Sequence, residues 1–267
     1  MGTWAKSLFG KDSFEDVGII LAGTNSPEFE QQVLGFFDEV VSSKDAVYHG
    51  HLVKKDGKYY PLVSNVYGAP AVVDVMTEMH DGGCRNIIFI GYAFGFHDVP
   101  VGSVVLPVEA FHFHGLYHAI TPDRHVDRPD KELLNKVYDC LRDHIPLHKG
   151  VNITVPAVTL QLPHNNPFYK KINPDSLEME VAALYARAED IGVRACAVLI
   201  ISDNRLENIG DDSKRTVRRA AKIKVIERVV ARLSSFSLPD LGKEFSINKE
   251  LARTVALDDN DRTVYDE

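Results

Sequence analysis

The sequence predicts one α/β domain in which helices cover both faces of a mixed sheet. Three observations predict it. Short apolar runs alternate with stretches of helical periodicity along most of the 267 residues, the pattern of a three-layer α/β/α sandwich. A turn-like Lys54-Lys55-Asp56-Gly57-Lys58 lies between two strand-like runs, which argues for a hairpin and against a purely parallel sheet. Hydrophobic residues make up 45% of the chain and charged residues 25%, enough apolar content for one full core without disulfide staples.

Taken in order, residues 1–16 are mixed and read as an N-terminal arm. Residues 17–22 are a short apolar run ending at Gly23, the pattern of a buried strand. Ser26 can cap a following helix with Pro27 at its first position, and Phe29, Val33, Phe36 and Phe37 recur at helical spacing. The hairpin strands fall near 48–53 and 59–65. A helix over 71–79 is stopped by Gly82-Gly83, and residues 86–91 are the most strand-like run in the chain. Another strand follows at 103–108. Residues 130–144 form an amphipathic helix with Leu133, Leu134, Val137, Tyr138 and Leu141 on its apolar side. Strands at 151–158 and 194–202 bracket a helix over 180–191, and a long helix covers about 213–234. The domain is thus expected over 17–235, with a polar C-terminal tail over 236–267.

Charge and cysteine content narrow the function. A formal charge of −8 disfavours a generic nucleic-acid or anionic-membrane surface. The three cysteines, Cys84, Cys140 and Cys196, lie far apart in no metal or redox spacing, which fits reduced thiols and a cytoplasmic setting. No apolar run approaches the roughly 20 residues that span a bilayer.

Five groups of residues are candidates for chemistry. Gly23 and Thr24 stand between a strand and a helix, where backbone N–H groups can hold an anion or simply make a turn. Glu178-Met179-Glu180 enters a helix, either as ordinary N-terminal acids or as carboxylates gripping sugar hydroxyls with a Met beneath the sugar. Ser202-Asp203-Asn204 lies at a strand's carboxyl end, where α/β sheets gather ligands, or is a cap. His112, His114, His118 and His125 could pair on a strand face, but no acidic or thiol partner has matching spacing, so no metal is expected. Lys214, Arg215, Arg218, Arg219, Lys222, Lys224 and Arg228 read as the solvated face of the last helix.

The order of these pieces resembles the nucleoside phosphorylase-I superfamily over roughly residues 15–235. The carrying segments are 17–23, Tyr67-Gly68-Ala69-Pro70, 83–91 with Ala93-Phe94-Gly95, 101–105, 177–183 and 198–203. The resemblance implies a mixed, partly barrel-like sheet. It implies a homo-oligomer, a dimer or trimer of dimers, with sites at subunit interfaces. It also implies cleavage of the N-glycosidic bond of a nucleoside or nucleotide. By position, Glu180 resembles the ribose-binding carboxylate, Met179 the residue under the sugar, Asp203 the acid that protonates a purine, and Gly23 the phosphate-loop glycine. Glu178, Thr24, Tyr92, Ala93 and Phe94 line the same expected site, and Lys44 sits near a neighbouring subunit's arginine.

Departures from the pattern bear on the nucleophile. Where arginines hold phosphate in the family, this chain has Ser26-Pro27-Glu28 and Phe89, and Tyr92 replaces a small hydroxyl residue. Loss of the forked guanidinium donors favours water as the nucleophile, with Glu28 as a candidate to orient it. The alternatives are phosphorolysis, with inorganic phosphate as co-substrate held by Arg85 or Arg205, and a non-catalytic nucleoside-binding or scaffold role. No other cofactor is expected. Residues 154–161 lack the usual base-holding aromatics, for which Phe94, Phe96, Phe168 or Tyr169 could substitute. Asp203 favours a purine.

Overall fold

The structure is a computed structural model that describes residues 4–23, 26–45, 47–96, 99–112, 125–160, 166–207 and 210–242. Its helices and strands, in chain order, are α1 (Trp4–Phe9), β1 (Val17–Ala22), α2 (Pro27–Leu34), β2 (Glu39–Asp45), β3 (His49–Lys55), β4 (Lys58–Val66), α3 (Ala69–Asp81) and β5 (Asn86–Gly95). There follow β6 (Val104–His112), β7 (Val126–Asp127), α4 (Lys131–Leu141), β8 (Leu147–Thr154), α5 (Pro167–Ile172), β9 (Ser176–Glu178), α6 (Val181–Asp190), β10 (Arg194–Asn204) and α7 (Asp212–Val230).

One sheet runs β10-β6-β8-β9-β5-β1-β4-β3-β2, with β7 added beside β6. A further pairing of β10 with β5 joins this path back on itself. Five strands therefore enclose a barrel-like ring, while β1 to β4 extend from it as an open sheet. The expected mixed, partly barrel-like α/β architecture is what forms. The central strands β1, β5 and β10 are parallel and buried along nearly their whole length, as strands covered on both faces must be. Alternate side chains feed two cores. Ile20, Phe89, Ala93 and Ala197 point toward α3 and α6. Ile19, Ile88, Ile90 and Val198 point toward α2, α4 and α7.

The caps follow local chemistry. Ser26 Oγ accepts from Phe29 N at 3.3 Å with Pro27 at the first helical position. Asp130 caps α4 through Leu133 N at 2.8 Å. Gly82 closes α3. The β3–β4 turn carries Asp56 and Gly57 at positive φ, as the sequence predicts.

Several expectations need correction. Within the expected N-terminal arm, α1 buries Ala5, Leu8 and Phe9 against the sheet. Ala5, Leu8 and Phe9 put apolar groups on one side of a single short helix, too brief for periodicity to register. The tail begins later than residue 236, since Phe236 and Leu238 are buried in the second core; residues 243–267 lie outside the described residues. The strand predicted at 151–158 instead occupies 147–154. Strands β2 and β9 and helix α5 escaped the periodicity reading because each is short or exposed. Lys222 is not on a solvated face but fully buried. The three cysteines are free and buried. No described helix is long and apolar enough to cross a membrane.

Candidate active site

Strand register brings the distant motifs together. Parallel pairing sets Asp203 beside Phe94 and Asn204 beside Gly95. Antiparallel pairing sets Leu177 beside Phe94 and Ser176 beside Gly95. The chain after β9 therefore enters the carboxyl end of the β1–β5–β10 group, where ligands of α/β sheets gather. Gly23 ends β1 at the same edge with φ +84° and donates its N–H to Val66 O at 2.8 Å. That backbone region is open to glycine and strained for other residues. Thr24 lies outside the described residues, as do His114 and His118.

Glu178 and Glu180 are both buried but have different partners. Glu178 Oε1 accepts from Asn152 Nδ2 at 2.7 Å and Thr154 Oγ1 at 2.5 Å. Its Oε2 accepts from the backbone N–H groups of Glu180 at 2.5 Å and Val181 at 2.8 Å. Four donors occupy this carboxylate, so it anchors the N-terminus of α6 and has no face left for a sugar. Glu180 accepts from Gly68 N at 2.6 Å and, more weakly, Met179 N at 3.2 Å, and its carboxyl is within hydrogen-bonding reach of the Glu178 carboxyl. Burial raises both carboxyls. The four donors to Glu178 oppose its rise, whereas burial and the neighbouring Glu178 push Glu180 up to about 8. Glu180 is thus the under-coordinated carboxylate of the pair, the one able to receive hydroxyl groups.

Met179 packs against an aromatic cluster that the sequence could name only as separate possibilities. Phe96 and Tyr169 are buried there, with Phe94 and Phe168 against them. Phe94 and Phe96 meet edge-to-face at 5.5 Å, and Phe96 and Tyr169 at 5.1 Å. Such a cluster offers ring faces and edges to a planar base. Ala93 is buried, and its carbonyl accepts from Ser202 Oγ at 3.2 Å. Ala93 therefore contributes backbone and shape, not a functional group.

Asp203 sits half-buried where β10 bulges, and receives a short hydrogen bond from Ser202 Oγ. Burial raises its carboxyl, opposed by that bond and by the nearby Arg218 charge. Arg218 Nη1 also donates to Ser202 O at 3.3 Å. A carboxyl that keeps its proton more readily than usual, at a strand's end, is suited to act as a general acid.

The phosphate positions differ from both sequence alternatives. Phe89 is fully buried in the core. Arg85 lies at the other end of β5, donating to His80 O and Cys84 O and pairing with Asp240 at 3.5 Å. Arg205 is exposed just beyond β10. Lys44 is exposed on edge strand β2, three strands from β1, so within one chain it does not meet this site. Besides Arg218, Lys222 of α7 does approach. Its Nζ donates to Ala22 O at 2.9 Å, the carbonyl just before Gly23, and lies 4.4 Å from the Tyr92 ring centroid. Burial pulls its ammonium down to about 7, against the attraction of Glu180. The signal that could have found it is its spacing from Val225, Ile226 and Val229, which places it within the buried stripe of α7 rather than opposite it. Asn152 and Thr154 were likewise missed, having no motif of their own. Among the described residues His112 is buried, 3.4 Å from Asp127.

Fold and site together define an α/β protein with a carboxylate, a thioether, an aromatic cluster and a half-buried acid at the carboxyl edge of its sheet. The family model of the phosphorylase superfamily matches residues 19–236, and the chain belongs to that superfamily. It is similar to the DeoD-type purine nucleoside phosphorylase of Streptococcus pyogenes, 28% identical over 163 residues that cover 59% of this chain and 65% of that relative. Among solved structures it is similar to the purine nucleoside phosphorylase of Toxoplasma gondii in complex with immucillin-H. That likeness has a TM-score of 0.70 at 18% identity, covering 85% of this chain and 94% of the other, and it shows the fold.

Proposed function

We propose that this chain cleaves the N-glycosidic bond of a purine nucleoside or nucleotide. The observation that carries the reading is the contrast between the two adjacent carboxylates: Glu178 takes four donors, while buried Glu180, beside Met179, takes backbone donors from Gly68 and Met179 alone. Breaking the bond builds positive charge on the sugar. Glu180, ionised when sugar hydroxyls bind it, stabilises that charge in a site that water scarcely reaches. The bonding electron pair leaves with the base, which takes the Asp203 proton. An oxygen nucleophile closes on the sugar carbon, and Asp203 regains a proton as the product leaves. Both similar proteins are purine nucleoside phosphorylases, which supports the substrate class.

Water is the preferred nucleophile, because β1, its loop and β5 supply no guanidinium at the described positions. Phosphorolysis is the second reading, favoured by Lys222 beside Ala22 and by Arg218 beside Ser202. Chromatography of products from a purine nucleoside, with and without inorganic phosphate, separates them. Free base with free sugar in phosphate-free buffer supports hydrolysis. Base that appears only with phosphate, together with a sugar 1-phosphate, supports the second. No base from any purine nucleoside or nucleotide removes both.

A further inference from the structure

Strands β2, β3 and β4 carry a chain of polar side chains beside α2 that the glycosidic reading does not use. Alternation along β3 points His49 and His51 to the same face of the sheet, where Glu30 of α2 meets both. Antiparallel register sets Ser43 of β2 opposite His51. Ser43 Oγ is 2.8 Å from His51 Nδ1, and His51 Nε2 is 2.7 Å from Glu30 Oε1. Ser64 Oγ donates to the same carboxylate oxygen, and His49 Nδ1 lies 3.1 Å from the other. Burial opposes ionisation of Glu30, but the hydrogen bonds from Ser64, His51 and His49 outweigh it and hold the carboxyl below its ordinary range. An ionised carboxylate accepts and does not donate, so the proton of neutral His51 sits on Nε2. Nδ1 then keeps its lone pair toward Ser43, whose hydroxyl donates to it. His51 is buried, whereas Ser43 is exposed. A hydroxyl, an imidazole and a carboxylate thus stand in hydrogen-bonded sequence with the hydroxyl at the solvent end, the arrangement that activates a serine nucleophile. Strand β2 is also the last of the sheet, so backbone N–H groups on its open side face no strand among the described residues. Such groups beside a nucleophile can receive a developing oxyanion.

We propose that Ser43, His51 and Glu30 form a second centre that hydrolyses small, unhindered carboxylic esters through an acyl-Ser43 intermediate. Ser43 Oγ bonds to the ester's carbonyl carbon as its proton passes to His51 Nδ1. The carbon–oxygen bond to the alcohol then breaks, and the alcohol leaves with the proton from His51. Water adds to the acyl carbon in turn, giving its proton to His51. The carboxylic acid departs as the bond to Ser43 breaks, and Ser43 Oγ takes the proton back. Glu30 touches no substrate. It holds the Nε2 proton and stabilises the imidazolium that forms, which makes it a positioning residue. Because Ser43 is exposed at a strand edge, the centre selects by the reactivity of the ester more than by the shape of its acyl chain.

The test is incubation of the full chain with p-nitrophenyl acetate, reading p-nitrophenolate release by absorbance and the acetylated residue by peptide mass spectrometry. The wild type is expected to release p-nitrophenolate above the buffer rate and to carry the acetyl group on Ser43. Ser43→Ala should slow release about a hundredfold, the low end for a nucleophile assisted by a base. Ser42→Ala, which removes a hydroxyl bonded instead to Phe9 O, should release at the wild-type rate. Glu30→Gln should slow release about tenfold or more while Ser43 remains the acetylated residue, because Gln no longer stabilises the imidazolium. A separate readout distinguishes activation from a merely structural hydrogen bond. Ser43→Cys keeps a nucleophile beside His51, and at neutral pH iodoacetamide should alkylate it about tenfold faster than in Ser43→Cys/His51→Gln, since an adjacent imidazole favours the thiolate. No release above buffer, release unchanged in Ser43→Ala, acetyl groups found only on residues other than Ser43, or equal alkylation of the two cysteine variants overturns the proposal. None of these readouts depends on whether the chain cleaves a nucleoside.

Discussion

Replacing Glu180 by Gln should make the protein more stable at alkaline pH while removing its activity. The folded chain buries Glu180 next to Glu178 and holds its carboxyl up to about 8 against an ordinary 4.5. Below 4.5 the group is protonated in both folded and unfolded chains and costs nothing by ionisation. Between 4.5 and about 8 the folded chain binds the extra proton, so stability falls as pH rises. Above about 8 the whole penalty is present. The gap, at about 1.4 kcal/mol per pH unit, is about 5 kcal/mol as a ceiling, and relaxation around the buried charge reduces it to about 2–3 kcal/mol. Gln keeps the shape and the acceptor for Gly68 N–H but cannot ionise. Urea unfolding of both proteins at pH 5 and pH 8.5 measures the effect. The variant's gain over the wild type should be larger at pH 8.5 by about 2–3 kcal/mol. A difference that does not change between the two pH values would refute the raised Glu180 carboxyl.

Other outcomes follow from the same geometry. Asp203→Asn should slow base release about a hundredfold, as expected for a lost general acid, and less for a substrate whose base departs without protonation; an equal loss on both substrates speaks against the acid role. Glu178→Ala should lower stability by about 3 kcal/mol or more in thermal melts, because Asn152, Thr154 and two backbone N–H groups lose their acceptor. Lys222 is held down to about 7 against an ordinary 10.5, so its burial costs most below pH 7 and the cost fades toward 10.5. Lys222→Met should therefore stabilise the protein at pH 6 and lose that advantage by pH 10 in denaturant titrations. Phe9→Ala should cost about 3–5 kcal/mol, whereas a loose N-terminal arm would register no change.

The parts of this fold legible in the sequence are those whose signal is local. Apolar runs gave β1, β5 and β10, and Ser26-Pro27, Asp56-Gly57 and Gly82-Gly83 marked their turns and caps. What was not legible depends on register. Nothing near Asn152 or Thr154 in sequence indicates that they hold Glu178, because β8–β9 pairing makes that contact. Glu178 and Glu180 look equivalent two residues apart, yet one caps α6 and the other faces Gly68. Lys222 shows how a basic run conceals a buried member: it shares the helical stripe of Val225, Ile226 and Val229 and packs against Phe29 and Tyr92. The aromatic cluster around Tyr169 assembles from β5 and α5, segments about 75 residues apart in order along the chain, so no motif could contain it.

The most direct test of the central claim is free-base release from purine nucleosides and their 5′-monophosphates by the wild type and by Glu180→Gln, followed by chromatography in the presence of phosphate. Base released by the wild type and lost in a folded Glu180→Gln protein is the predicted result. Base release that survives the substitution, or no base from any of these compounds with the wild type, would contradict it.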